Sequence, residues 1–386
     1  MPTLSDYIAW RGDLTFTEAP FCEVDNLIFC LLSYVDLDGI VPAHPHLGGI
    51  SLRAAAAEYF LTHSDSVAKP LGLIIPHDIL TIFRGMAHAP RYRDLILTGY
   101  VNCVSQRREC QFSALTILLP EECAFVAFRG TDDSIVGWKE DLNLSVLEEI
   151  PAQRMATEYL NGLDLPPDTA ILVGGHSKGG NLAVWGAVHA EESIRRRLRT
   201  VYSNDGPGFS EGTTRSEAYR SLRARIHLFL PEDSLVGLLL EQEENFQVVK
   251  SSRRGLFQHD GVSWEVKGSS FCYAEALSPA GLRHQSLLRD RIYALPASQR
   301  RDCIRILFSL LEATGADTLT DLHDAKFHSA MALLKAYHVL SAADREILHT
   351  LCDGLFTSPA KRRSIKSPKH QKGKVCVEFP RRKSHH

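Results

Sequence analysis

One serine stands between glycines in the segment ILVGGHSKGGNLAVWGA, residues 171–187. The run from Gly175 to Gly179 fits the pattern G-x-S-x-G, with a strand-like apolar run before the serine and a helix-forming run after it. A strand that turns at once into a helix strains its middle residue, and residues two positions away must lack side chains to avoid a clash. The pattern therefore predicts that Ser177 is an exposed nucleophile. The alternative is a tight structural turn.

A serine hydroxyl needs a base, and the base needs an acid that orients it. In hydrolases with a doubly wound sheet the acid follows the serine along the chain and the histidine comes last. The next two predicted strands after Ser177 end at Asp205 and at the pair Glu232 and Asp233. We predict Asp233 as the acid, because the second strand after the nucleophile usually carries it. Asp205 and Glu232 are the alternatives.

The predicted base is His259, which lies in the loop GLFQHD, residues 255–260, between two predicted strands. An imidazole on such a loop could reach the serine. Other histidines fit structural roles better, because His189 lies on the helix after the serine, His227 inside a strand, and His284 in a helical segment.

Two backbone N–H groups are predicted to bind the oxyanion of the reaction. One belongs to Lys178, the residue after the nucleophile, and the other to Thr131, in the loop that follows the apolar run CAFVAF. The Thr131 hydroxyl is a further possible donor. One such donor contributes about 2.7–4 kcal/mol of transition-state stabilisation. The alternative role of this loop is a helix-entry turn capped by Asp133 or Ser134.

The elements that must position these residues follow from the apolar pattern. Segments 24–35 and 52–62 and the stretch IPHDILTIFRGMA are predicted helices, and the runs QFSALTILL and CAFVAFRG predict a hairpin around Pro120–Glu122. Strands TAILVGG, LRTVYSN, RIHLFLP, FQVVKSS and VSWEVK then follow, with helices after the serine, over 210–223 and in SLVGLLLEQ. Alternation with fully apolar strands predicts an α/β fold with a mostly parallel, doubly wound sheet covered on both faces.

Beyond Phe271 the pattern is helical. One predicted helix buries a face, and Ser341 with Asp344 caps a later one. The apolar residues of that face are Ile304, Leu307, Phe308 and Leu311. We therefore divide the chain into an α/β domain (1–270), a helical extension packed on it (271–356) and a basic tail (357–386). The alternative role of the extension is a lid or a partner surface.

The tail has too few apolar residues to pack, which predicts disorder. It holds ten Lys and Arg residues and one acid, a net charge of +9, whereas the whole chain carries −3 and the rest of the chain therefore −12. Near an anionic leaflet each basic residue contributes about 1 kcal/mol. The tail thus predicts peripheral contact with an anionic membrane, and a solvated tail without a partner is the alternative. No specific nucleic-acid partner is predicted.

The composition is that of a globular protein, with 44% hydrophobic and 23% charged residues among 386. The nine cysteines are scattered without a CxxC pair, as free thiols of a reducing compartment are. The N-terminal residues have no basic segment before an apolar core, and no apolar run reaches the roughly 18–20 residues of a membrane span. These features predict a cytoplasmic protein. Neither a cofactor nor a metal site is predicted, because the histidine pairs lack the spacing or added ligands of one.

Taken together, the motifs resemble the α/β-hydrolase fold, and within it the class 3 (fungal-type) lipases. The residues that carry the likeness are Phe128–Thr131 with Trp138 and Asp141, Gly175–Gly180, Asp205–Gly208, Pro231–Asp233 with Leu235 and Val236, and His259 ahead of Trp264. Two further segments, Trp10–Leu14 and Gln258–Asp260, are similar to an uncharacterised bacterial group of lipase-like proteins. The resemblance implies that Ser177, Asp233 and His259 form the triad, with Thr131 in the oxyanion hole.

The resemblance also implies a substrate class, acyl chains on glycerol or a lysophospholipid. Lys178 stands where leucine is usual, and we expect it to place a cation near the pocket mouth, suited to an anionic head group. The predicted function is a serine hydrolase of carboxylic esters, of the lipase, esterase or lysophospholipase kind, acting through an acyl-enzyme. A thioesterase or peptidase on the same triad and a non-catalytic hydrolase-like scaffold are the alternatives.

Overall fold

The computed structural model describes residues 1–44, 48–63, 78–240, 245–287 and 295–348. The predicted basic tail and the end of the predicted extension lie outside the described residues. The predicted division of the chain at residues 270 and 356 stays a prediction.

A nine-stranded sheet runs through the described part of the chain, in the order β1-β2-β3-β4-β5-β6-β7-β8-β11. Its strands are β1 (Ile50–Ser51), β2 (Ile96–Ser105), β3 (Cys110–Leu119), β4 (Cys123–Phe128), β5 (Ala170–His176), β6 (Leu198–Asn204), β7 (Ile226–Pro231), β8 (Gln247–Val249) and β11 (Tyr273–Ala274). Strands β4 to β8 are parallel, and the pairs at both edges are antiparallel. Two short strands, β9 (Val266–Lys267) and β10 (Ser270–Phe271), pair separately.

Helices cover both faces of this sheet. They are α1 (Leu4–Arg11), α2 (Glu23–Leu32), α3 (Leu52–Thr62), α4 (Asp78–His88), α5 (Ile135–Asn143), α6 (Pro151–Asn161), α7 (Lys178–His189), α8 (Glu192–Arg197), α9 (Glu211–Thr214), α10 (Glu217–Leu222), α11 (Pro279–Leu287), α12 (Ala297–Glu312), α13 (Leu319–Asp324) and α14 (Lys326–Val339). Side chains alternate across a strand. In β4, Phe125 and Ala127 pack with α1–α4, whereas Val126 and Phe128 pack with α6 and α7. The structure is therefore a mixed α/β fold whose central strands are buried on both faces, as the apolar runs predict.

Several local predictions are confirmed. The hairpin forms, because β3 and β4 pair with Leu119 opposite Cys123 across the turn at Pro120–Glu122. Helices α2 and α3 lie where the pattern places them.

Among the helices of the described ranges, none combines the length and the apolar character that a membrane span requires.

Other local predictions are wrong. Residues 234–240 form turns instead of a helix, because the Ser234 hydroxyl and the Gly237 N–H both donate to the buried Asp205 carboxylate. In VSWEVK a 3₁₀ turn occupies the first residues, and only β9 is a strand. The helix expected over 210–223 is split into α9 and α10.

The predicted helical extension contacts α5. Ile304 and Phe308 of α12 are buried against Ile135, whereas Leu307, predicted on the same face, is 41% exposed and lies off the buried face. A backbone bond from Ile135 N–H to the Asp317 carbonyl, 2.9 Å, adds to this contact. The cap at the later helix also forms, because the Asp344 N–H donates to Ser341 Oγ at 3.1 Å. The extension thus packs on the helix that follows the Thr131 loop.

Candidate active site

Ser177 forms the junction between β5 and α7. Its backbone has φ 58° and ψ −133°, a region that non-glycine residues rarely adopt and that carries strain. The Ser177 N–H donates to the Asn204 carbonyl, and the Ser177 carbonyl accepts from the Gly180 N–H, each at 2.9 Å. The junction is thereby held to the end of β6 on one side and to the first turn of α7 on the other.

The glycines on either side of Ser177 are required by close backbone contacts. A Cβ atom on Gly175 would lie 2.0 Å from the carbonyl of Gly179, and one on Gly179 would lie 2.1 Å from the Phe128 carbonyl oxygen. Real Cβ atoms do not approach other atoms this closely. The strained strand–turn–helix geometry that the G-x-S-x-G pattern predicts is therefore present at Ser177.

The partner of the predicted base is Asp205. His259 Nδ1 lies 2.6 Å from Asp205 Oδ2, and this carboxylate is fully buried. Its other oxygen accepts from Ser234 Oγ at 2.5 Å and from the Gly237 N–H at 3.1 Å. An ionised carboxylate can only accept hydrogen bonds, so with an ionised Asp205 the His259 Nδ1–H donates, and in the neutral imidazole Nε2 then carries the lone pair.

Asp233, the predicted acid, has other partners. Its carboxylate accepts from the Gly255 N–H at 2.8 Å and from the Ser278 hydroxyl. Its own N–H donates to Gln258 Oε1 at 2.8 Å. Asp233 therefore holds the loop that carries His259, whereas the alternative Asp205 bonds the imidazole itself.

The reason for this difference is the path of the His259 loop. The strand-order argument ranks acids by their position along the sheet edge, but the loop turns back over β5 and β6. The His259 carbonyl lies 2.7 Å from His176 Nε2, at the end of β5. Asp205 follows β6 directly, and Asn204 pairs with His176 in the sheet. The other alternative, Glu232, accepts the Ser278 N–H on its carbonyl.

His176, directly before the nucleophile, is a site residue that the sequence argument missed. Because a carbonyl only accepts, the His176 Nε2–H donates to the His259 carbonyl, and Nδ1 accepts from the Tyr34 hydroxyl at 3.2 Å. Burial, together with the nearby His259, lowers the pKa of His176 to about 3. A neutral His176 therefore fixes the backbone of the predicted base. The position of His176 inside the motif could have identified it as a site residue. Nothing in the sequence around Tyr34 indicates its contact with His176.

Gly130 and Ser177 lie in close contact, and each is directly followed in the chain by one of the two predicted oxyanion donors, Thr131 and Lys178. Lys178 is the first residue of α7, where backbone N–H groups have no partner within the helix. Gly130, directly before Thr131, lies so near that a Cβ on it would be 3.0 Å from Ser177 Cβ. Within the described residues, neither the Thr131 nor the Lys178 N–H donates to another protein group.

The Thr131 hydroxyl is already engaged. Its single hydrogen donates to Asp141 Oδ2 at 2.5 Å, so that only the Thr131 backbone N–H remains as a donor. The helix-entry role is also present, because Ser134 caps α5 by accepting the Gly137 N–H at 3.2 Å. The loop after β4 thus serves the entry to α5 and presents Thr131 at the same time.

The expectation for the Lys178 side chain is wrong. Its ammonium group is fully buried, 2.8 Å from Glu140 Oε2, 2.6 Å from Gln111 Oε1 and 3.0 Å from the Gln111 carbonyl. A buried charge needs a partner, since desolvation costs several kcal/mol. Lys178 therefore neutralises Glu140 inside the protein instead of lying at the pocket mouth. A lysine in the apolar first turn of a helix indicates that an acidic partner exists, but the sequence does not show which residue that partner is.

Asp141 is the second carboxylate near this lysine. Its Oδ1 lies 3.9 Å from Lys178 Nζ. Burial raises the pKa of Asp141 to about 6, although the Lys178 charge and the Thr131 hydrogen bond lower it. One ammonium group thus faces two carboxylates, and burial favours the neutral form of Asp141.

Metal ligands do not gather at this site. In the described ranges, no three His, Cys, Asp or Glu side chains lie close enough together to hold an ion. The polar groups at this edge of the sheet are the Ser177 hydroxyl, an imidazole bonded to a buried carboxylate, and two backbone N–H groups.

Comparison with known proteins identifies a family. The family model described as Mbeg1-like matches residues 86–309, which is more than half of the chain, and the chain therefore belongs to this family. No curated protein matches it. A solved structure described as the crystal structure of M37 lipase is similar over 55% of this chain and 68% of its own, with 15% sequence identity and a TM-score of 0.34.

Proposed function

We propose that this member of the Mbeg1-like family is a serine hydrolase of carboxylic esters, with Ser177 as nucleophile, His259 as base and Asp205 as the acid. The observation that carries the proposal is the 2.6 Å bond between His259 Nδ1 and the buried Asp205 carboxylate, which directly follows the Asn204 carbonyl that accepts the Ser177 N–H. A structural turn requires neither a buried acid nor a histidine on a returning loop.

The first step follows from the tautomer of His259. Asp205 holds the hydrogen on Nδ1, and Nε2 can accept the Ser177 hydroxyl proton while Oγ attacks the acyl carbonyl. The imidazolium that forms is stabilised by the Asp205 charge. His176 keeps the His259 backbone in place and, because its own pKa is about 3, stays neutral throughout. General-base assistance of this kind contributes about 10²–10⁴-fold in rate.

The tetrahedral oxyanion would accept hydrogen bonds from the Lys178 and Thr131 backbone N–H groups, helped by the positive end of α7. Collapse of this intermediate passes the proton from His259 to the leaving alcohol and leaves an acyl group on Ser177. Water, deprotonated by the same imidazole, then releases the acid. No cofactor takes part in these steps.

Esters with an apolar acyl group are the favoured substrates. Next to His259, Leu256 is 58% and Phe257 72% exposed, and two large apolar side chains beside the base suit a lipid better than a polar substrate. The motif resemblance to class 3 lipases supports the same class. The buried Lys178 removes the earlier reason for an anionic head group. A thioester or peptide would use the same groups and is the second candidate.

Location and membrane contact remain predictions. The scattered cysteines favour a cytoplasmic protein, and the net +9 of residues 357–386 favours contact with anionic lipid. Flotation with phosphatidylserine vesicles at low and moderate salt, comparing the full chain with one lacking the tail, would test this contact. Equal flotation of both chains would refute it.

A fluorophosphonate probe tests the proposed function directly. We expect it to label the native wild type and the Ser221→Ala control, which loses only an exposed hydroxyl. It should not label Ser177→Ala. Absence of wild-type labelling would refute the proposal. A panel of p-nitrophenyl esters, monoacylglycerols, lysophospholipids and acyl-CoA thioesters then identifies the substrate. Faster turnover of acyl-CoA than of every ester would favour the thioesterase.

A further inference from the structure

The side chains around Lys178 connect the two predicted oxyanion donors. Lys178 supplies one donor from its backbone, and its ammonium group bonds Gln111. Gln111 in turn reaches the peptide that supplies the other donor, because its Nε2 lies 3.3 Å from the Gly130 carbonyl oxygen. Lys178, Gln111 and Glu140 are each fully buried.

The chemistry of Lys178 fixes which way the Gln111 amide points. An ammonium group only donates hydrogen bonds, so the Gln111 atom 2.6 Å from Lys178 Nζ must be the oxygen Oε1. The NH₂ group of the same amide then faces the Gly130 carbonyl and donates to it. A glutamine beside a neutral partner could adopt either orientation.

The lysine itself has no rotational freedom. Its ammonium group has three hydrogens, and three acceptors surround it: Gln111 Oε1, the Gln111 carbonyl and Glu140 Oε2. Glu140 is held as well, because it accepts from the Gln111 N–H at 3.0 Å and from the Ala152 N–H at 2.9 Å. The cluster therefore forms a rigid support, without contact with solvent.

The bond to the Gly130 carbonyl sets the direction of the Thr131 N–H. In a planar trans peptide the carbonyl of one residue and the N–H of the next point to opposite sides. A carbonyl held by Gln111 keeps the Thr131 N–H pointing away from Gln111. If this peptide rotated, a carbonyl oxygen would face the oxyanion in place of a donor.

We propose that Gln111 and Lys178 are positioning residues that hold the Gly130–Thr131 peptide in the donor orientation, so that both halves of the oxyanion hole are set by one buried cluster. This inference rests on the proposed function, since it concerns the same site. It assigns a role to the Lys178 side chain, which is buried and therefore does not contact substrate.

The main test is Gln111→Leu, which keeps the volume and removes both amide contacts. Oxyanion contacts form in the transition state, so we expect kcat on a p-nitrophenyl ester to fall about 10- to 100-fold, with KM within about twofold. Outright loss of a donor costs about 10²–10³-fold. The matched control is Gln153→Leu, which removes a second buried amide, bonded to Asn181 at 2.8 Å, away from the Thr131 loop. It should keep kcat within about threefold.

A second readout separates positioning from general loosening. Sulfur in a thionoester accepts hydrogen bonds poorly, so an intact oxyanion hole favours the ester over its thionoester. We expect the ester-to-thionoester ratio of kcat/KM to fall about tenfold in Gln111→Leu and to stay at the wild-type value in Gln153→Leu. Gln111→Glu provides a second, isosteric variant. When ionised it keeps an acceptor for Lys178 but cannot donate to Gly130, so above the pH at which this buried carboxyl ionises it should lower the ratio as well.

The outcomes distinguish this inference from the proposed function. If the fluorophosphonate does not label the wild type, both are overturned. If the wild type is labelled and either Gln111 variant folds with wild-type kcat and wild-type ester-to-thionoester ratio, the positioning role alone is overturned. A lowered ratio in the folded Gln111 variants, with the Gln153 control unchanged, supports it.

Discussion

The two sides of Ser177 differ in charge and in exposure to solvent. On the base side, His259 remains 22% exposed and bonds one buried carboxylate, while His176 behind it is uncharged. On the oxyanion side, Lys178 and Glu140 form an ion pair with both side chains fully buried. One side of the nucleophile is thus partly open and carries one acid, and the other is closed and charged.

This difference fits the function that we propose for each side. A base has to exchange protons with the serine, the leaving group and water, so that its imidazole needs access. Backbone donors only have to stay in place, and a closed cluster without solvent holds them without reorganisation during the reaction. Changes on the base side should therefore affect chemistry, whereas changes on the oxyanion side should also affect stability.

The largest effect is expected for the nucleophile and the base. Ser177→Ala and His259→Ala should each lower kcat by about 10⁶-fold, and the double variant should be no worse than either, because the two residues act as a unit. Stopped-assay ester hydrolysis with the Ser221→Ala control measures this. Additive losses would mean that the two side chains act independently.

On the oxyanion side we expect a large loss of stability. Lys178→Met leaves the Glu140 charge buried without its partner, which should lower the free energy of unfolding by about 3–5 kcal/mol in urea denaturation. The comparison is Arg196→Met, which removes an ion pair to Glu192 in which the arginine is 77% and the glutamate 65% exposed, and this change should cost at most about 1 kcal/mol. Equal losses would show that the Lys178 pair is no more important than a surface pair.

His176 should make the base side sensitive to acid. Its folded pKa of about 3 lies below the ordinary value of 6.5, so the unfolded chain binds more protons between these values. Stability should therefore fall as the pH drops below about 6.5, by up to about 1.4 kcal/mol per pH unit. Relative to His176→Gln, the wild type should lose free energy of unfolding between pH 6.5 and 4. A pH-independent difference would contradict the neutral, buried state of His176.

Asp141 should give the oxyanion side the opposite response. Burial raises its pKa from 3.8 to about 6, so the folded state binds more protons between these values, and stability rises as the pH falls from about 6 to 4. The side chain is 19% exposed, and we expect a total of at most about 2 kcal/mol. Compared with Asp141→Asn, the wild type should gain in this range. A gain on raising the pH would contradict the assignment.

Ser177 could be located from sequence because its geometry depends on local residues. The strained junction needs glycines at 175 and 179, and both are adjacent in sequence to the serine that they accommodate. The apolar strands likewise predict a sheet buried on both faces, because the run of apolar residues within each strand is a local feature. Features of this kind are readable without coordinates.

The proposed acid, Asp205, and the buried partners of Lys178 could not be located in this way. Asp205 meets His259 across 54 residues, and Lys178 meets Gln111 across 67. Neither distance follows from a rule about strand order or motif spacing, because it depends on where a loop turns back and which strand faces the helix start. The position of Lys178 in the motif suggests an exposed cation. Its side chain is nevertheless buried, because Glu140 lies opposite and pairs with it.

The most direct test of the triad compares Asp205→Asn with Asp233→Asn on one p-nitrophenyl ester. Asparagine at 205 would favour the wrong imidazole tautomer, so kcat/KM should fall about 10⁴-fold. Asparagine at 233 weakens only the bonds that hold the loop, and its loss should stay within about tenfold. The reverse order, with Asp233→Asn nearly inactive and Asp205→Asn nearly wild type, would contradict the assignment of Asp205 as the acid.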